Sequence, residues 1–197
     1  PHECSSAASD VYKRQLWADE VIEQLQIPQA NVIGISYGAF IAEKIMTFKP
    51  KRIEKCILVV PSGIVNGHFW ESAKKLTFPF IRWRITKKEK HLRSFLSAFA
   101  PMENQFLYQM LSTMVKGIKL DTRIPKLLKK KDVQHFEAPV YVIAAKGDVY
   151  FPGEKIIQRC KELFSNLKGT HLLSNSKHMP SEDSYPIIQR KIVEWIE

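Results

Sequence analysis

The chain has 197 residues, 45% of them hydrophobic, a formal net charge of +10 and three cysteines. That length and apolar content suit one globular domain, and no apolar run approaches the length of a membrane span. Cys4, Cys56 and Cys160 have no metal-ligand spacing and no disulfide-framework pattern, which favours a cytoplasmic protein, and no nucleic-acid-binding motif is present.

In chain order, the first fifteen residues are polar, and their four charges, Glu3, Asp10, Lys13 and Arg14, cancel. The +10 excess therefore belongs to residues 16–197. Val32–Ile35 reads as a short strand, and Ala39–Met46 repeats apolar residues at helical spacing. Between them stands Gly34-Ile35-Ser36-Tyr37-Gly38, a G-x-S-x-G pattern on a sharp strand-to-helix turn. Both Gly34 and Gly38 are expected to serve the strained turn and the close helix–strand packing. With 8 glycines in the chain the pattern alone has odds of about a few per cent by chance. Its flanking elements lower those odds.

Residues 55–60 form a second apolar strand, followed by Pro61-Ser62-Gly63. The stretch 64–134 is too long for a plain connection and reads as mainly helical. Within it, Phe106, Leu107, Met110, Leu111, Met114 and Val115 are expected on one helical face. Val140–Ala145 is a buried-strand run ending in Lys146-Gly147-Asp148. A helix is expected over 153–164, a strand over 170–173, a loop over 174–180 and a closing helix over 181–196.

A nucleophilic serine needs a base, and the base needs an orienting acid. Ser36, Asp148 and His178 follow the order Ser, Asp, His, each at the carboxyl end of a predicted strand, where open α/β sheets form their sites. His171 falls within a strand and is a poor base. Glu154 and Asp132 compete with Asp148 as the acid. Asp148 is favoured because Glu154 lies in or beside a helix and Asp132 precedes the strand.

From Leu16 to Glu197 the sequence resembles the C-terminal two-thirds of an α/β-hydrolase fold serine hydrolase, of the esterase, lipase and aminopeptidase superfamily. Leu16–Leu25 resembles the helix before the nucleophile elbow, and Lys55–Gly63 the next strand and its loop. The resemblance implies a mostly parallel sheet with flanking helices, a core over 16–63 and 135–197, and a helical cap over 64–134. It implies a Ser36-Asp148-His178 triad, the Tyr37 backbone N–H as one oxyanion donor, no metal and no cofactor. Serine at the elbow argues against a haloalkane dehalogenase, whose nucleophile is a carboxylate.

Ser5–Gln15 resembles the translation of a sequencing-library adapter, so residues 1–15 are set apart from the fold. The resemblance also implies that the first strands and the loop carrying the other oxyanion donor are missing, leaving an exposed sheet edge. Poor solubility and weak activity are expected of such a fragment. An ester of a small or medium apolar acyl group is the leading substrate. A proline iminopeptidase, a carbon–carbon bond hydrolase and a noncatalytic binder of a small ligand are the alternatives. Phe69, Trp70, Phe78, Phe80 and Trp83 are expected mostly to pack within the cap, some lining an acyl pocket. The basic residues of the insertion suit a solvated face, or a surface attracting anionic lipid headgroups or an acidic partner. Nothing in the sequence specifies an oligomeric state.

Overall fold

The structure, a computed structural model, describes residues 20–117 and 126–197. The adapter-like segment, residues 16–19 of the expected leading helix and part of the insertion lie outside the described residues. Among the described residues, four strands, β1 (Ala30–Ile35), β2 (Ile53–Val59), β3 (Val140–Ala145) and β4 (Leu167–Leu173), form one parallel sheet in that order. Parallel strands need crossovers, and helices supply them. These are α1 (Tyr37–Phe48) between β1 and β2, and α2 (Phe69–Ser72), α3 (Phe78–Thr86), α4 (Glu89–Ser97) and α5 (Gln105–Gly117) between β2 and β3. α6 (Gly153–Leu163) links β3 to β4, and α7 (Tyr185–Ile196) closes the chain.

β3 is buried along nearly its whole length, as its continuous Val-Tyr-Val-Ile-Ala-Ala run requires when helices cover both faces. Side chains alternate between those faces with the strand period. Cys56 and Leu58 join Ala39, Ala42 and Met46 of α1 and Ile156 and Cys160 of α6 in one cluster. Ile57 and Val59 pack on the opposite side with Ile188 and Trp195 of α7. Tyr141 stacks on Trp195 there, with ring centroids 5.0 Å apart. β1 is one of the two edges of the sheet among the described residues, and it exposes Asn31, Ile33 and Ile35. No described helix is long and apolar enough to cross a membrane.

The helices between β2 and β3 have a separate core, in which Leu76, Trp83, Leu92, Phe95, Leu96 and Leu111 are buried. One expectation for this region is refined and one needs correction. On α5 the buried line is Tyr108, Leu111, Ser112 and Val115, whereas Phe106, Met110 and Met114 are exposed. The apolar stripe is wider than the surface it packs on, so only one of its edges is covered. Similarly, Phe80 and Trp83 pack inside, but Phe69, Trp70 and Phe78 face solvent.

Candidate active site

β1 ends at Ile35 and α1 begins at Tyr37, so Ser36 alone makes the turn. Its backbone sits at φ 53° and ψ −114°, a strained conformation for an L-residue that costs on the order of 1–3 kcal/mol. Surrounding bonds hold it. The Ser36 N–H donates to Val59 O at 2.9 Å, and its carbonyl accepts the N–H of Ala39 at 3.1 Å. Gly34 is required here, because a Cβ would stand 2.5 Å from the Cα of Ala39. Gly38 is not. A Cβ at that position meets nothing within 4 Å among the described residues, which corrects the expectation that both glycines serve close packing.

His178 lies in the loop after β4 and brings its Nε2 to 2.7 Å from Ser36 Oγ. Its Nδ1 is 2.7 Å from Asp148 Oδ2. A carboxylate only accepts, so Nδ1 carries the proton and Nε2 is left to accept the serine hydroxyl. The other oxygen, Asp148 Oδ1, accepts the N–H groups of Tyr150 at 2.8 Å and Phe151 at 3.0 Å. His178 and Asp148 are buried, the latter with its side chain fully covered. The competing acids are occupied elsewhere. Glu154 faces Lys146 at 3.3 Å, and Asp132 accepts the Lys129 N–H at 3.0 Å. His171 lies within β4, in register with Ile143.

Three aromatic rings surround the imidazole: Phe99 at 4.9 Å, Phe151 at 5.4 Å and Tyr150 at 6.0 Å between centroids. Burial and the nearby Asp148 carboxylate push the Tyr150 phenol up to about 12. Both loops are also fastened to the helical insertion. The Met179 N–H donates to Phe99 O at 2.9 Å, and Lys177 Nζ to Ser97 O at 2.6 Å. The Gly67 N–H donates to Tyr150 O at 2.6 Å, and a Cβ on Gly67 would stand 2.1 Å from Val149 O.

No protein-family model matches the chain, and no curated protein sequence does. Solved structures match it throughout. Naproxen esterase (carboxylesterase NP) from Bacillus subtilis superposes with a TM-score of 0.76 at 12% identity, over 100% of this chain and 69% of that one. Carboxylesterase CesB (YbfK) from the same organism gives 0.71 at 14% identity, over 94% and 66%. A meta-cleavage product hydrolase from Pseudomonas fluorescens gives 0.66 at 16% identity, over 89% and 67%. The chain has the α/β-hydrolase fold. It spans about two thirds of the length of each of these structures.

Two features of this chain were not foreseen from sequence patterns. Ser62, from the loop after β2, donates its hydroxyl to Ser36 O at 3.1 Å and is buried. The signal for it was only its place directly after a strand, in Pro61-Ser62-Gly63. Glu43 of α1 is fully buried, and neither carboxyl oxygen has a hydrogen-bond partner among the described residues. Its Oε2 fits into space left by Gly63, where a Cβ would stand 2.5 Å away. Burial raises the Glu43 carboxyl well above the ordinary range, against a smaller opposing pull from Lys44. Among the described residues, no group of three His, Cys, Asp or Glu side chains could hold a metal ion.

Proposed function

We propose that this α/β-hydrolase chain belongs to a serine hydrolase that cleaves carboxylic esters of small or medium apolar acyl groups. The observation that carries this reading is the unbroken hydrogen-bond chain from Ser36 Oγ through His178 to Asp148. His178 Nε2 takes the hydroxyl proton as Ser36 Oγ attacks the ester carbonyl. Asp148 holds the imidazole tautomer and stabilises the imidazolium without itself taking the proton. The tetrahedral intermediate collapses, the imidazolium gives its proton to the leaving alkoxide, and an acyl-enzyme remains. Water, deprotonated by the same Nε2, attacks the acyl-enzyme, and collapse of the second intermediate releases the acid and restores Ser36.

The oxyanion needs donors aimed at it. Tyr37 begins α1, so its N–H stands next to the nucleophile at the positive end of a helix dipole. It serves as one donor. The helices between β2 and β3 act as a cap, and the rings of Phe99, Tyr150 and Phe151 keep the base in an apolar setting. The full chain is tested with p-nitrophenyl butyrate and with a fluorophosphonate probe. Slow turnover and a covalent adduct on Ser36, both lost in Ser36→Ala, are expected. Failure of both in a folded sample would overturn the proposal in favour of a noncatalytic ligand binder.

A further inference from the structure

The segment from Phe69 to Thr86 is one nearly continuous helix: α2, a π turn over Ala73–Thr77, and α3. Within the π turn the Phe78 N–H reaches back to Ala73 O. Two α-helical turns take about 7.2 residues, and a π turn adds one more. Trp70 and Phe78, eight residues apart, therefore fall on one line. Ile81 and Ile85, at the next i+3 and i+4 steps, continue it. This line is exposed, with Trp70 at 71% and Ile85 at 77%, and Phe69 beside Trp70 at 73%. The helix buries its other side through Leu76, Phe80 and Trp83, so the exposed line is a second apolar face.

The charge around that face is mostly positive. Lys74, Arg82, Arg84, Lys87, Lys88 and Lys90 are exposed on or beside the helix. The acidic neighbours are already engaged, Glu71 with Lys75 at 2.6 Å and Glu89 with Tyr108 and Lys116. Exposed aromatic and branched apolar side chains framed by lysine and arginine match the boundary of an anionic bilayer. There apolar groups enter the acyl region while basic heads stay at the phosphates. Tryptophan favours the same depth. A soluble acidic partner would leave the line of Trp70, Phe78, Ile81 and Ile85 unexplained, because charge complementarity covers only its rim.

We infer that the Phe69–Thr86 helix docks this chain on anionic lipid, inserting Trp70, Phe78, Ile81 and Ile85 between phosphate-bound lysines and arginines. This surface is separate from the Ser36 site and does not depend on its chemistry.

The test is co-sedimentation of the full chain with vesicles of phosphatidylcholine alone and of phosphatidylcholine mixed with phosphatidylglycerol, at low and high salt. Partition onto the mixed vesicles at least about tenfold above the neutral ones is expected. It should weaken once salt shortens the screening length below about 10 Å. The double variant Phe69→Ser/Trp70→Ser and, separately, Ile85→Asn should each lower partition by about tenfold or more. All three positions are exposed, and thermal melting checks that each variant folds. Equal binding to both vesicle types, no binding to either, or binding unchanged in both variants would overturn the inference. So would a concentration-dependent dimer abolished by the same variants without vesicle binding, which would assign the face to a second copy of the chain.

Discussion

The hydroxyl and the N–H of Ser62 converge on a single acceptor, the backbone carbonyl of Ser36, at 3.1 and 3.3 Å. This pair ties the strained turn of β1 to the loop leaving β2. Ser62→Ala keeps the N–H bond and removes the hydroxyl one. A stability loss of about 1 kcal/mol is expected for that single bond. The rate of Ser36 modification by a fluorophosphonate should fall more than the melting temperature suggests, by up to about tenfold. Equal labelling rates in the two proteins would show that the turn does not need Ser62.

Asp148 uses both of its oxygens, one for His178 and the other for two backbone N–H groups. Asparagine can keep the backbone pair only by turning its amide donors toward Nδ1, which forces the imidazole into the wrong tautomer. Asp148→Asn should therefore lower kcat by about 10⁴ with KM nearly unchanged. Steady-state kinetics on p-nitrophenyl butyrate decides it.

Glu43 makes stability depend on pH. Its folded-state pKa lies above the ordinary 4.5, so the native state keeps a proton that the unfolded chain releases. The contribution is fully present below about pH 4.5 and is lost as pH rises through the folded value, at up to about 1.4 kcal/mol per pH unit. Glu43→Gln removes the ionisation. Urea midpoints of the two proteins should converge at acid pH and separate at alkaline pH, with the glutamine variant more stable. A gap independent of pH would refute this account.

The elbow glycines should respond differently to a methyl group. Gly34→Ala drives its Cβ into Ala39 backbone and should destabilise by several kcal/mol, of the order seen for overpacked cores. Gly38→Ala meets open space and replaces glycine within a helix. It should leave the melting temperature unchanged or raise it, by at most about 1 kcal/mol in stability. Matched thermal melts of the two variants are the comparison.

The parallel sheet was legible because its strands are short apolar runs that end in turn residues, and β3 shows this most clearly. The meeting of Ser36, Asp148 and His178 was legible for a related reason. In such a sheet the carboxyl ends of parallel strands lie on one side, so a loop position in sequence is also a position in space. Other relationships carry no periodic signal. The bonds from Ser62 to Ser36 and from Met179 to Phe99 are backbone meetings of distant loops, made by residue types that do not foretell them. Glu43 shows the opposite case. It lies four residues after Ala39 and three before Met46, on the buried face of α1, so the helical period points inward there while its charge points to the surface, and the sequence alone did not place it inside. The solvent-facing aromatics of the Phe69–Thr86 helix defeat such reasoning, because hydrophobicity states that a side chain can be buried, not that a partner surface is there to bury it.

The insertion grips both partners of Ser36. Gly67 holds the carbonyl of Tyr150, two residues from the acid, while Ser97 and Phe99 hold Lys177 and Met179 on either side of the imidazole. A substitution that reshapes the insertion for a bulkier molecule would move these same anchors. Under the proposed hydrolase activity, selection for a new substrate in this scaffold would therefore drag reaction rate with it, and variants that broaden choice without slowing turnover should need a compensating second change at the anchors.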